Sequence, residues 1–278
     1  MTAPQRIVAR IVPYAVTTCL SLLVVIPVLW GIMASLSTNR QITLDSLRFP
    51  DHLHFDNYSY AWTQGNVGGF VGNSLLISSA AALLIAVLAT MVGYALGRLR
   101  FPGQRVVSTV ILAAIIMPVF SYIIPLSRLM SDLGLTNSRI AVMLTTAATF
   151  LPVPTLLMRA FFQGLPEELS DAGRLEGANE WQVFLYLMVP LARPGILTAL
   201  MFAFVWAWND VLLPVVLLQS PDKFTIPYGI ASLRPADFRE DYVSVFAGSM
   251  ISTIPMILIY VFLQRQFISG LTAGSTKG

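Results

Sequence analysis

Charge is the scarcest property of this chain. Only 11% of its 278 residues are Asp, Glu, Lys or Arg, against 56% hydrophobic, and the mean hydropathy is +0.73. Soluble domains carry roughly 25% charged residues, so the deficit excludes an ordinary water-soluble fold. Cysteine is nearly absent: Cys19 stands alone inside an apolar run, and no intrachain disulfide can form. Histidine is confined to His52 and His54, which share one loop with no cysteine beside them. Zinc sites want three or four convergent ligands, so the pair reads as loop surface and no metal site is expected. Lysine occurs only as Lys223, after Asp222, and Lys277, after Thr276. A phosphate-cradling loop needs Gly-Lys-Ser or Gly-Lys-Thr behind a glycine-rich turn, so the chain cannot hydrolyse ATP by itself. No Ser-His-Asp set stands in a setting suited to catalysis. The formal charge of +3 and pI near 9.2 do not point to nucleic acid, because the 17 Lys and Arg are scattered through loops rather than gathered in a stripe.

What the chain has is length in apolar runs. A hydrocarbon core about 30 Å thick needs about 20 apolar residues per helix. Six stretches qualify, at approximately 12–33, 70–96, 106–126, 140–162, 196–218 and 243–267, each flanked by charge or by Pro and Gly. The predicted fold is all-α, a polytopic membrane protein with six transmembrane helices in a single domain. Pro118, Pro125, Pro152, Pro154, Pro214 and Pro255 fall within these runs and predict kinks, tolerated where neighbouring helices satisfy the freed carbonyls. Gly93, Ala95 and Gly97, and Ser78 to Ala82, suit close helix contact or a lipid-facing surface alike. The first run follows Arg6 and Arg10 but exceeds the roughly 7–15 apolar residues of a signal core, which predicts an uncleaved anchor.

Basic residues set the orientation. With the amino terminus inside, Arg6, Arg10, Arg98, Arg100, Arg105, Arg159, Arg174, Arg193, Arg265 and Lys277 face the cytoplasm. Arg40, Arg48, Arg128, Arg139, Lys223, Arg234 and Arg239 face the other side, in and beside loops that also hold most of the acids. The bias predicts both termini in the cytoplasm. The longer loops at about 36–69 and 219–242 are expected to form small caps, with Tyr58, Tyr60, Trp62, Phe224 and Tyr228 as interfacial anchors or a docking surface.

The most informative stretch is the connection at 164–193, between the fourth and fifth runs. Nothing in it spans a bilayer. Pro166 suits a helix start, Glu167 and Glu168 complement the positive end of that helix, and Gly177 is placed to end it before a second segment begins at Ala178. The expected element is two short helices joined at a glycine, a rigid knob that a partner can hold and push. Asp171, Arg174, Glu176 and Glu180 are available to fix its register by charge pairing. Helices that lie on membranes are usually rich in Lys and Arg on the polar face, and this one is acidic, which favours protein docking.

The residues here resemble a family. Asp171-Ala172-Gly173, three residues, Gly177, nine residues and Leu187-Met188-Val189-Pro190 resemble the coupling motif of bacterial ATP-binding-cassette importer permeases, usually Glu-Ala-Ala, three residues, Gly, nine residues, Ile-x-Leu-Pro. Asp stands for Glu and Gly173 for the second Ala. Trp208-Asn209-Asp210 and the ending from Gln264 to Gly278 are similar to the second permease of maltose-type carbohydrate importers. The resemblance implies a membrane subunit, not catalytic by itself, of a binding-protein-dependent importer in the bacterial cytoplasmic membrane. Its partners would be a second permease, an ATP-binding-cassette ATPase dimer that uses ATP and Mg, an extracytoplasmic solute-binding protein and membrane lipid. No cofactor and no nucleic acid is expected on this chain. The resemblance implies a carbohydrate cargo, an ATPase-coupling role for Glu168, Asp171, Ala172, Gly173, Arg174, Glu176, Gly177, Ala178 and Pro190, and a tail at 268–278 that contacts the ATPase through Gly270, Leu271, Thr272 and Gly274.

Asp210 is the one acid set well within an apolar run, which makes it a functional candidate by default. It lies roughly 24 Å along the helix from Pro194 at about 1.5 Å per residue. Trp206, Trp208 and Asn209 beside it offer aromatic faces and an amide to a sugar; a helix-packing hydrogen bond is the competing reading. Asn73, Ser121 and Tyr122 are further candidates for the same path. The alternative mechanism, an ion-coupled secondary carrier, calls for a paired internal repeat and more ionisable groups in the membrane. The sequence shows no convincing repeat.

Overall fold

The computed structural model describes residues 3–233 and 241–275, without the side chains of 3–11, 263 and 265–275. Arg234, Arg239 and Lys277 of the orientation argument lie outside the described residues, as do the side chains of Arg6, Arg10 and Arg265. Every regular element among the described residues is helical, as hydrocarbon demands of a chain that must satisfy its own backbone.

Among the described residues, three helices are long and apolar enough to cross a membrane singly, Val12–Ser35, Val67–Arg98 and Tyr242–Phe262. Three bent pairs qualify when each is taken as one span. Gln104–Ile116 and Val119–Asp132 meet at 106°, Arg139–Phe150 and Pro152–Gly164 at 49°, and Glu180–Leu191 and Arg193–Asn209 at 76°. The first two bends fall at proline. Pro118 has no N–H to donate and drives Met117 out of the helical region, to φ −72° and ψ 116°. The run at 106–126, expected as one kinked span, is therefore two helices nearly at right angles. The run at 196–218 is also divided: its helix ends at Asn209, and a second, Leu212–Leu217, starts beyond Asp210. Pro125 and Pro255 sit inside unbroken helices.

The chain forms two compact units. One comprises Met1–Val67 and Ile230–Thr253. In it Trp30 packs edge-on against Phe246, with ring centroids 5.1 Å apart, and the 36–66 segment folds into the short helices Asn39–Leu44 and Asp56–Thr63. Asn57 Nδ2 donates to the carbonyls of Ser35 and Ser37, and Asn39 Oδ1 accepts from Val243 N at 3.0 Å. The expected cap on this loop is present.

The other unit comprises Gly68–Gly229 and Ile254–Gly278. Its helices approach most closely where side chains vanish. A Cβ on Gly93 would lie 2.6 Å from Met158 Cβ and 2.9 Å from Arg159 N, and one on Gly97 3.1 Å from Arg159 O. These glycines join Val67–Arg98 to Pro152–Gly164, with Met158 and Phe162 wholly buried at the seam. Near the start of Val67–Arg98, Asn73 Nδ2 donates to the carbonyls of Asp222 and Phe224, and Ser74 Oγ accepts from Ile226 N. Asn137 Oδ1 accepts from Gln219 N and Ser220 N, and its carbonyl from Lys223 Nζ. The 219–226 stretch is thus stitched to the starts of two helices. Replacing Gly93 with leucine is expected to cost about 1–3 kcal/mol or more through overpacking, seen as a lower Tm of the purified protein. Gly72→Leu is the control, since a Cβ there meets nothing within 4 Å.

Candidate functional site

The 164–193 segment folds as two helices on a glycine joint. Pro166, at φ −59° and ψ 139°, opens the helix Glu167–Leu175, whose first turn holds Glu167 and Glu168 against the unpaired amides. The helix ends at Gly177, in the left-handed region at φ +87°. Gly177 N donates to Arg174 O at 3.0 Å and Ala178 N to Gly173 O at 3.1 Å, the paired bonds of a glycine-terminated helix. Two residues on, Asn179 Oδ1 accepts from Gln182 N while Gln182 Oε1 accepts from Asn179 N, a reciprocal cap that starts Glu180–Leu191. Within that helix Val183–Met188 widens into a π turn, with Val189 N reaching Phe184 O. Pro190 has no N–H for the carbonyl four residues back, where an α-helix would need one.

Charge locks the two helices together. Arg174 Nε donates to Glu180 Oε1 at 2.7 Å, and its Nη1 to Asp171 Oδ1 at 2.8 Å. The donated bond from Arg174 holds the Glu180 carboxyl below its ordinary value of 4.5 and raises Arg174 in turn. A carboxyl with a depressed folded pKa stabilises above its unfolded value and loses that contribution as pH falls through the folded one. The Arg174–Glu180 bond is therefore intact at neutral pH and is lost only in acid, below the ordinary carboxylate range. Glu176 stands exposed outside this pairing, as Glu168 and Ala172 stand exposed on the first helix.

The buried side of the knob is aromatic. Tyr94 is 4% exposed, with ring centroids 5.4 Å from Phe162 and 4.9 Å from Phe184, and its hydroxyl donates to Glu180 Oε2 at 3.2 Å. Arg98 Nη2 donates to the carbonyls of Leu165 and Pro166. Sequence reasoning missed Tyr94, Phe162, Phe184 and Arg98. It also missed the Asn179-x-x-Gln182 cap, which the letters spell. On the open side, Leu175 is 88% and Tyr186 78% exposed. A cavity of about 430 Å³ lies beside the joint, lined by Glu176, Gly177, Gln182 and Tyr186 among others.

The path candidates disperse. Tyr122 and Trp206 line one cavity of about 270 Å³ with Met117, Val119, Phe150, Pro152 and Val153. Trp206 packs on Phe150 and Phe202, and Tyr122 reaches Thr149 Oγ1 at 3.5 Å. Ser121 is exposed and bonds back to Pro118 O. Trp208 is 2% exposed and stacks on Phe204, Asn209 donates to Val205 O, and Asn73 spends its amide on the stitch described above. Asp210 Oδ1 accepts from Leu212 N and Leu213 N and caps the helix that follows. The tail residues Gly270, Leu271, Thr272 and Gly274 fall in the last turns of Tyr242–Ser275, and their side chains lie outside the described residues.

Residues 89–272, more than half of the chain, match the family described as binding-protein-dependent transport system inner membrane component. The chain belongs to this family: it is an all-α, multi-pass permease of an ATP-binding-cassette importer, which decides against the ion-coupled carrier. Relatives cover nearly its whole length. It is 34% identical over 96% of its length to the diacetylchitobiose uptake system permease of Streptomyces coelicolor, covering 88% of that protein. It is 32% identical to the lactose transport system permease of Rhizobium radiobacter, with 100% of both chains covered. With the trehalose transport system permease of Mycobacterium tuberculosis it shares 33% identity over 91% of this chain and 92% of that one. The fold is that of a chain in the crystal structure of a bacterial ABC transporter involved in the import of alginate, at a TM-score of 0.81 and 22% identity over 96% of this chain and 99% of that one.

Gly173 stands where the motif this segment resembles usually has alanine, and the surroundings have room for a methyl group. An added Cβ would meet Val183 Cγ2 at 3.4 Å and Leu187 Cδ2 at 3.5 Å, ordinary contact. Gly173→Ala is expected to stabilise the first helix by about 0.5–1 kcal/mol, read as a raised Tm of the purified complex.

Proposed function

We propose that this chain is one of two permease subunits through which a sugar enters the cell, and that the 164–193 knob receives the force of ATP hydrolysis in a partner ATPase dimer. Both termini lie in the cytoplasm, the solute arrives from an extracytoplasmic binding protein, and ATP and Mg are handled by the ATPase. The observation that carries the reading is the left-handed joint at Gly177 between two helices clamped by Asp171, Arg174 and Glu180. A unit so fastened, with Leu175 and Tyr186 exposed and acids in its first turn, can be gripped and displaced as one piece. Glu168, Ala172, Glu176 and the open faces of Gly177 and Ala178 form the gripped surface, while Pro190 leads the motion into the next helix. The tail from Gly270 to Gly274 makes a second contact with the ATPase.

A carbohydrate cargo is supported by the relatives, whose names specify diacetylchitobiose, lactose and trehalose. The cavity holding Trp206, Phe150 and Tyr122 matches that cargo: aromatic faces suit the apolar faces of a pyranose, and hydroxyls its rim. Stimulation of ATP hydrolysis by one saccharide, in the complex reconstituted with its binding protein, identifies the cargo.

Gly177 tests the coupling role. A Cβ there meets open space, so a substitution strains the backbone without a clash, at about 1–2 kcal/mol for a bulky residue in left-handed geometry. Gly177→Val is expected to insert, assemble and hydrolyse ATP while the solute taken up per ATP falls. Gly177→Asn, which tolerates that geometry, should retain more coupling. Normal uptake per ATP in the valine variant would count against the role of the knob.

A further inference from the structure

Two side chains of the long helix Val67–Arg98 bond to the knob: Arg98 donates to the backbone carbonyls of Leu165 and Pro166, and the Tyr94 hydroxyl makes the one side-chain-to-side-chain bond among the described residues, to Glu180. We propose that Tyr94 is a positioning residue for coupling: its hydroxyl ends a strap, Asp171–Arg174–Glu180–Tyr94, that makes this helix follow the knob. The inference rests on the reading of 164–193 as the coupling element.

The geometry carries it. Tyr94 is one turn before Arg98, where Val67–Arg98 ends, in a position that the apolar pattern alone would fill with any aromatic. Its ring is held by Phe162, from the helix that leads into the knob, and by Phe184, from the knob itself. Packing of that kind needs only a phenyl group. The hydroxyl does something packing cannot: it bonds to the same carboxylate that Arg174 grips, so one carboxyl group receives donors from the first helix of the knob and from Val67–Arg98. Glu180 is the first residue of the second helix, fixed in place by the Asn179 and Gln182 cap immediately around it. A push on Glu167–Leu175 therefore reaches Arg174, then Glu180, and then Tyr94 through hydrogen bonds of 2.7 and 3.2 Å. Hydrogen bonds of this type are directional and weaken steeply when bent, so they resist shear. The three groups draw on a residue from each side of the Gly177 joint and one from a membrane helix, and nothing in the coupling motif itself includes Tyr94.

The test uses the full complex with its ATPase and binding protein in proteoliposomes, reading solute uptake and ATP hydrolysis separately. Tyr94→Phe keeps the ring and removes only the hydroxyl. Uptake per ATP is expected to fall roughly threefold to tenfold, the factor an ordinary single hydrogen bond carries, with assembly and ATP hydrolysis unchanged. Glu180→Ala, which also frees Arg174, should lose at least as much, and adding Tyr94→Phe to it should make nothing worse, because both break one strap. Should Tyr94→Phe fail to assemble, Glu180→Ala carries the test, since its carboxyl is half exposed and packs no core. Full coupling in Tyr94→Phe beside a defective Gly177→Val overturns the strap and leaves the coupling reading standing. Full coupling in both overturns the coupling reading as well. Additive losses in the double variant also overturn the strap.

Discussion

Hydrocarbon offers no partner to a backbone amide, and that constraint shapes nearly everything in this chain. Helices answer it by pairing every N–H and C=O within the segment, and the few places where the ladder is interrupted are the places where side chains or neighbouring backbone step in. At Asp210 a carboxylate oxygen takes the amides of Leu212 and Leu213 as one helix stops and the next begins. At Pro118 the chain turns with Ser121 bonded back to the proline carbonyl. Where helices must touch without polar groups, glycine allows the approach, as Gly93 does against Met158. The charged residues that the apolar body does not need are then free to gather in one connection, and the 164–193 segment holds an unusual share of the chain's acids.

In that connection ordinary helix-end chemistry fastens two short helices to each other. A left-handed glycine closes one helix, an asparagine and a glutamine open the next, and an arginine crosses between them. Each device is local, satisfying amides and carbonyls that would otherwise be orphaned. Together they leave no slack between the two helices. The apolar side chains that remain outward, Leu175 and Tyr186 foremost, are what a monomer exposes when its surface belongs to an assembly.

The sequence disclosed much of this and withheld the rest for identifiable reasons. Apolar runs located the membrane helices because the period and length of such runs respond to the bilayer alone. The glycine joint was legible because only Gly177 could be left-handed at that spacing, and Arg174 with its acids was legible because few charges competed for it. Proline was an ambiguous sign: Pro118 and Pro152 mark bends, yet Pro125 and Pro255 lie in continuous helices, and packing by neighbours decides which. Trp206 and Trp208 read alike in the sequence, but two residues of helix turn them to different sides, one toward a cavity and one into the core. Tyr94 was invisible because a buried aromatic in an apolar run looks like any lipid-facing one.

The cavity around Trp206 is lined by Met117 and Val119 from one proline bend and by Phe150, Pro152 and Val153 from the other. The bent pair Arg139–Phe150 and Pro152–Gly164 is tied down at both extremes, at Asn137 just before its start and at Phe162, packed on Tyr94, near its end. A beam pinned at its ends and scored in the middle cannot slide; it can only bow. Displacement at either anchorage of this pair would then be taken up as curvature at its one score mark, Pro152, which is a wall of the chamber itself.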